Sequence, residues 1–141
     1  MRRLLIMTAL LASMSCASSG SIGEMRMFMQ PRSEVWQAAV VAMHDVGARI
    51  LVSNRSSGML AGDVTRGELG GRVRLDVTVR SSSQTQDGIR SGSDLSVGVT
   101  YEGGMPDDPF LQVELKDLKD QYLDAVEHNL MMVRGYGRGI R

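Results

Sequence analysis

Two stretches in the second half of the chain alternate apolar and polar residues so regularly that they leave little choice of fold. Val73, Leu75, Val77 and Val79 stand against Arg72, Arg74, Asp76, Thr78 and Arg80, and Leu95, Val97, Val99 and Tyr101 stand against Asp94, Ser96, Gly98 and Thr100. Successive side chains of a strand point to opposite faces, so each stretch predicts a strand that is dry on one side and wet on the other. Parallel sheets are covered on both faces, whereas antiparallel ones tolerate water on one. The two strands are therefore expected to pair with each other across residues 81–93, a polar stretch that offers little to bury and reads as a mobile connection rather than a lid.

A one-sided sheet needs a cover. Asp108-Pro109 is a helix start, with a carboxylate at the cap and a proline where the first helical N–H would be unsatisfied anyway. From there Leu111, Leu115, Leu118, Tyr122, Val126, Leu130 and Val133 recur at three- and four-residue steps, with Lys116, Lys119, Asp120, Asp124 and Glu127 on the other face. This helix is expected to reach about Val133 and to stop at Gly135. Upstream, Val35, Trp36, Ala39, Val40, Met43 and Val46 predict a second helix, capped near Ser33 and ended at Gly47. Between the helices, Ala48, Ile50 and Val52 alternate as a strand, and residues 54–58 turn the chain into another strand over Met59 to Val64. Met25, Met27 and Met29 alternate with Arg26, Phe28 and Gln30 as a first strand ended by Pro31, with the methionines sharing one face as core residues would. The order is β-α-β-β-β-β-α. The fold class is α+β, an antiparallel sheet of about five strands with both helices on one face.

The amino terminus has a different character. Arg2 and Arg3 precede the apolar run Leu4 to Ala12, which is too short to span a bilayer but suited to the core of a signal peptide. Ser13-Met14-Ser15-Cys16 follows at once and resembles the lipobox of bacterial lipoproteins, although Ser13 stands where that family usually has Leu. The resemblance implies cleavage after Ser15 and lipid on Cys16, which is the only cysteine of the chain. The alternative is an ordinary signal peptide cut after Ala17, since Ser15 and Ala17 satisfy the small-x-small rule. The expected organisation is thus a signal peptide over 1–15, a lipidated cysteine and Gly/Ser-rich tether over 16–23, one domain over 24–133 and a Gly/Arg tail over 134–141. With Ala17 after the cysteine, the same resemblance favours the periplasmic face of the outer membrane over the inner membrane.

The run Pro31 to Ala38, then Gly47, an apolar strand and Gly58-Met59-Leu60-Ala61-Gly62, resembles small single-domain lipoproteins of Gram-negative bacteria. More distantly it is similar to the repeated domains of the C lipoprotein of the β-barrel assembly machinery. That resemblance implies a fold and transfers no catalytic residues.

Composition narrows the chemistry. Lys and Arg match Asp and Glu at 16 each, and removing Arg2 and Arg3 leaves a slightly acidic remainder, which argues against nucleic acid as a partner. A single cysteine allows neither an internal disulfide nor a cysteine-based zinc site. His44 and His128 sit on helices beside Asp45 and Glu127, and adjacent helical residues diverge, so neither pair is a dyad. Asp63, Asp107 and Asp108 lack the spacing of a calcium loop. Ser91 and Ser93 lie outside any nucleophile elbow and read as linker serines, while Gly67 to Gly71 lacks the Lys-Ser/Thr of a phosphate loop. The 11 methionines read first as core filling, then as an adaptable contact surface, and last as copper(I) ligands. No enzyme, metal or cofactor is expected. Two functions stay open: an accessory module docking another envelope protein, or a binder of lipid or another hydrophobic ligand. With roughly 110 residues to share, little apolar lining is expected for a pocket of several hundred cubic ångströms.

Overall fold

A computed structural model of the protein describes residues 21–65, 71–82, 92–103 and 109–137. Cys16 and the export segment lie outside the described residues, as do Asp107, Asp108, Ser91 and most of the glycine-rich stretch after Thr65. The elements follow the expected order: β1 (Ser21–Phe28), α1 (Arg32–Asp45), β2 (Arg49–Asn54), β3 (Met59–Thr65), β4 (Arg72–Ser81), β5 (Ser93–Glu102) and α2 (Pro109–Gly137). All pairings are antiparallel, and the strands lie in the order β1-β5-β4-β3-β2. This is the α+β fold read from the sequence.

The alternation of β4 and β5 sets the sheet's two faces. Val73, Leu75, Val77, Val79, Leu95, Val97 and Val99 are all buried, and Leu60 and Val64 of β3 join them through the pairs Leu60↔Val77 and Val64↔Val73. Both helices lie on this face. Val35, Trp36, Ala39 and Met43 come from α1, and Leu111, Leu115, Leu118, Tyr122, Leu123, Val126 and Leu130 from α2. Tyr122 sits where the helices meet; its ring is fully buried and its hydroxyl donates a 3.0 Å hydrogen bond to the Ala39 carbonyl. Burial pushes that phenol well above its ordinary range, because the charged form would have no water.

Local chemistry explains the turns. α1 ends in a glycine-terminated cap: Gly47 takes φ 73°, its N–H donates to His44 O at 3.0 Å, and Ala48 N–H reaches Met43 O at 2.8 Å. Its amino end departs from expectation. Pro31 and not Ser33 is the cap residue, and no side chain caps the helix. Arg32, the first helical residue, instead ties α1 to its surroundings by donating to the carbonyls of Arg55, Ser56 and Val79 at 2.6, 3.0 and 3.2 Å. Those carbonyls flank the turn at Gly58, where φ is 74° and the Gly58 carbonyl accepts from Val79 N–H at 2.8 Å.

Four other expectations fail for definable reasons. β1 begins at Ser21, inside the expected tether, because Ser21–Gly23 pair with Gly98–Thr100. A bulge between Ile50 and Val52 breaks the alternation of β2, so Val52 turns outward and is exposed. α2 passes Gly135 and reaches Gly137, since a glycine in a helix costs only about 1 kcal/mol and does not forbid the conformation. Ser93, read as a linker serine, opens β5 with its side chain buried and its hydroxyl donating to Gln30 O at 2.9 Å.

The largest departure concerns β1. Its register sets Ile22 against Val99, Glu24 against Val97, Arg26 against Leu95 and Phe28 against Ser93, and these four side chains take the helix side. Met25 and Met27 point to the open face and Met29 follows outside the strand, each more than 60% exposed, so they are not core. Partners on α2 explain the choice. Glu24 accepts from Lys119 Nζ at 2.5 Å, while Arg26 donates to Glu24 at 2.9 Å and to Glu127 at 2.6 Å. Lys119, expected on the wet face, is only 8% exposed, and an ammonium so covered requires a carboxylate.

Two outcomes are expected from this architecture. A Cβ at Gly58 would lie 2.1 Å from Val79 O on a backbone already at positive φ, so Gly58→Ala should lower stability by roughly 2–4 kcal/mol in a denaturant titration. Lys119 first, and then Arg26, holds the Glu24 carboxyl below its usual range. A depressed carboxylate stabilises the fold above its unfolded value, and that contribution disappears as pH falls through the folded one. Melting temperatures of wild type and Glu24→Gln should therefore differ at neutral pH and converge in acid.

Candidate functional site

Large apolar side chains pack the layer between sheet and helices. Met43, Leu60, Leu75, Leu95, Leu115, Leu118, Tyr122 and Leu123 occupy it, each under 2% exposed. Apolar clefts lie on the outer side of the helices.

A groove of about 650 Å³ runs along the outer side of α1 and the last turns of α2. Trp36, Val40 and Val41 line it from α1, and Met132 and Val133 from α2, with Arg55 and Asn129 as the polar members. A second cleft of about 420 Å³ lies on the other flank of α2, between Met27, Phe28 and Met29 on one side and Leu130 and Met131 on the other. The topology brings both to one end of the molecule. β1 finishes there, α1 begins there, the β2–β3 turn lies there, and α2, at 29 residues, arrives there with its carboxyl-terminal half. A helix of that length spans about 43 Å, whereas the ten-residue strands β4 and β5 span about 34 Å. The sheet cannot cover all of α2. Leu130 is its last buried residue among those described, and Met131, Met132 and Val133 are exposed, although the periodicity placed Val133 in the core.

Trp36 belongs to both environments. It is 6% exposed, as its helical spacing predicted, and its remaining surface forms part of the groove wall. The groove itself is not legible in the sequence, because the exposed apolar residues that line it come from positions 41 and 132–133 and meet only in three dimensions. Methionine suits such a surface, since its flexible, polarisable side chain adapts to varied contacts.

The titratable candidates do not converge. His44 and His128 are both exposed. Asp45, beside His44, accepts from Asn129 Nδ2 at 2.9 Å, which links the carboxyl end of α1 to α2. Among the described residues no group of three His, Cys, Asp or Glu side chains is placed to hold a metal ion. Asp63 lies in β3 on the open face of the sheet, far from the groove in the strand register, and is only 7% exposed.

Among the described residues, no helix is long and apolar enough to cross a membrane. No family model matches the chain, and no curated protein matches it in sequence. Among solved structures, the chain is similar to the one titled "Crystal structure of Ara h 8.0201", with 14% sequence identity, coverage of 79% of this chain and 97% of that one, and a TM-score of 0.41.

Proposed function

We propose that the chain is a cell-envelope lipoprotein, anchored through Cys16 on the periplasmic face of the outer membrane, and that it works as a non-catalytic accessory module docking another envelope protein. The observation that supports docking is the pair of apolar clefts flanking the exposed last turns of α2. Exposed contiguous apolar surface rimmed by polar residues is a mark of protein contact sites as well as of ligand grooves. The clefts lie at the end of the sheet opposite Ser21, where the chain leaves the domain toward Cys16. A module anchored at one end and apolar at the other presents its contact surface away from the membrane. The resemblance to small Gram-negative lipoproteins, read from residues 31–62, agrees with this assignment.

A second reading has its own support. A groove of about 650 Å³ falls within the range of small-molecule sites, so a lipid or other hydrophobic ligand could occupy it. The expectation that too little apolar lining remained for a pocket of this volume fails on the outer side of the helices.

Four measurements follow. Radiolabelled palmitate should enter wild-type protein in cells and not Cys16→Ser; an unlabelled wild type with a mature amino terminus at Ser18 would remove the anchor. A photo-crosslinker at Val41 or Met132 should capture one envelope protein reproducibly, whereas a stoichiometric lipid in native mass spectra of the purified protein would favour the binder. Trp36→Ala should cost roughly 3–5 kcal/mol in denaturant, through lost burial in the core.

A further inference from the structure

The open face of the sheet carries a buried carboxylate that its neighbours leave incompletely satisfied. Asp63 lies in a row across four strand pairings, Ser21↔Thr100, Thr100↔Arg74, Arg74↔Asp63 and Asp63↔Arg49. The strand face around it is wet, yet the side chain is 7% exposed and its Oδ2 makes no hydrogen bond among the described residues. Two guanidinium groups stand nearby without closing on it. Arg49 Nη2 is 3.7 Å from Oδ2 and Arg72 Nε is 3.5 Å, and their side chains are 74% and 61% exposed. Arg74, the cross-strand neighbour, is committed elsewhere, with its Nε donating to Asp76 at 3.0 Å.

A carboxylate taken from water without a hydrogen bond to that oxygen is costly, and long-range ion pairs offset only part of the cost. The group that would satisfy it is a compact donor able to pass between the two arginine side chains. A primary ammonium offers three N–H donors on a single small centre, where a guanidinium presents a broad planar fork. Arg49 and Arg72, once relieved of Asp63, would need an anion, and a phosphate accepts both of them with charge-assisted hydrogen bonds. An ethanolamine phosphate carries both charges on one small group.

We infer that Asp63, Arg49 and Arg72 form a binding site for a phosphoethanolamine headgroup, with the ammonium on Asp63 Oδ2 and the phosphate between the two arginines. The exchange conserves charge: two loose arginine–carboxylate contacts give way to one ammonium–carboxylate and one arginine–phosphate set. Its biological setting rests on the lipid anchor proposed above. Cys16 is five residues from Ser21, a span of at most about 18 Å when extended. Ser21 lies three strand spacings from Asp63, or about 14 Å. A chain anchored at Cys16 is thereby held with this row within reach of lipid headgroups. The chemistry sets a selectivity. A choline headgroup has no N–H to donate, and phosphatidylglycerol brings phosphate to the arginines with no cation for Asp63.

The test uses the full chain carrying Cys16→Ser in neutral detergent micelles, so that its outcome is independent of lipidation. Short-chain dihexanoyl phosphatidylethanolamine, phosphatidylcholine and phosphatidylglycerol are titrated while arginine Nε–H and β2–β4 amide resonances are followed. The ethanolamine lipid should shift Arg49, Arg72 and Asp63 saturably and bind at least tenfold tighter than either of the others. Asp63→Asn should abolish that preference and raise affinity for the glycerol lipid, because the negative charge is gone while the arginines stay. Arg49→Gln, at an exposed position, should weaken the ethanolamine lipid at least tenfold while the domain still melts cooperatively, and this variant decides the matter if Asp63→Asn unfolds. Free O-phosphoethanolamine binding as tightly as the lipid would support the same contacts and make a soluble phosphomonoester the ligand. Equal affinity for ethanolamine and choline lipids, or an Arg49→Gln variant that binds as wild type does, would overturn the site.

Discussion

A sheet with one apolar face cannot stand alone in water, and everything else in this domain answers that constraint. Seven fully or nearly fully buried side chains of β4 and β5 have to be roofed. α1, at 14 residues, spans about 21 Å and covers the β2–β4 side, so the rest of the roof must come from α2. The helices can share the work only if they pack against each other. Tyr122 makes that junction, filling it with its ring and giving its hydroxyl to a carbonyl of α1. A phenylalanine there would keep most of the packing and lose a hydrogen bond worth about 1 kcal/mol, whereas a small residue would open both the junction and the sheet beneath it.

The electrostatic layout follows from the same roof. β1 is an edge strand whose helix side meets α2, and it brings Glu24 and Arg26 to that contact. Lys119 and Glu127 answer them, so that four charges of alternating sign join the edge of the sheet to the helix above it. With the charged side of β1 turned inward, Met25 and Met27 have only the open face left. The exposed methionines are thus a by-product of how the edge is fastened, and they add apolar surface where β1 would otherwise be polar. The second edge, β2, is irregular at its bulge, a device that discourages further strand pairing.

The periodic parts of this structure were legible and the relational parts were not. Period-two alternation in β4 and β5, the three- and four-residue steps of α2 and the stop at Gly47 each depend on residues close in sequence, and each appears in the fold. Which face of β1 turns inward depends on partners roughly a hundred positions away. Alternation alone separates Met25 and Met27 from Glu24 and Arg26 without saying which set is buried, and hydrophobicity pointed the wrong way. Lys119 was assigned to water for the same reason, since its burial makes sense only once Glu24 is opposite. Of the candidate surface, Trp36 was legible as a core residue. The groove beside it was not, because it arises where a helix outruns its sheet. Asp63 stood out in the sequence only as lacking the spacing of a calcium loop; its cover of arginine side chains exists only in the paired strands. The reading of Cys16 rests on the residues around it and on nothing in the folded domain.

The pairing of β1 with β5 joins the first described strand to the last, with Ser21 lying against Thr100. A chain made from its amino terminus has no template for β1 until the residues of β5 have emerged, and α2, the larger part of the roof, comes later still. Contacts this distant in sequence slow folding, because a long loop must close before they form. Nascent β1 therefore stays unpaired through most of synthesis, with its charged and apolar faces both in solvent. Under the export proposed above for this chain, that delay is an advantage: the order of the strands itself keeps the chain open until nearly all of it has passed.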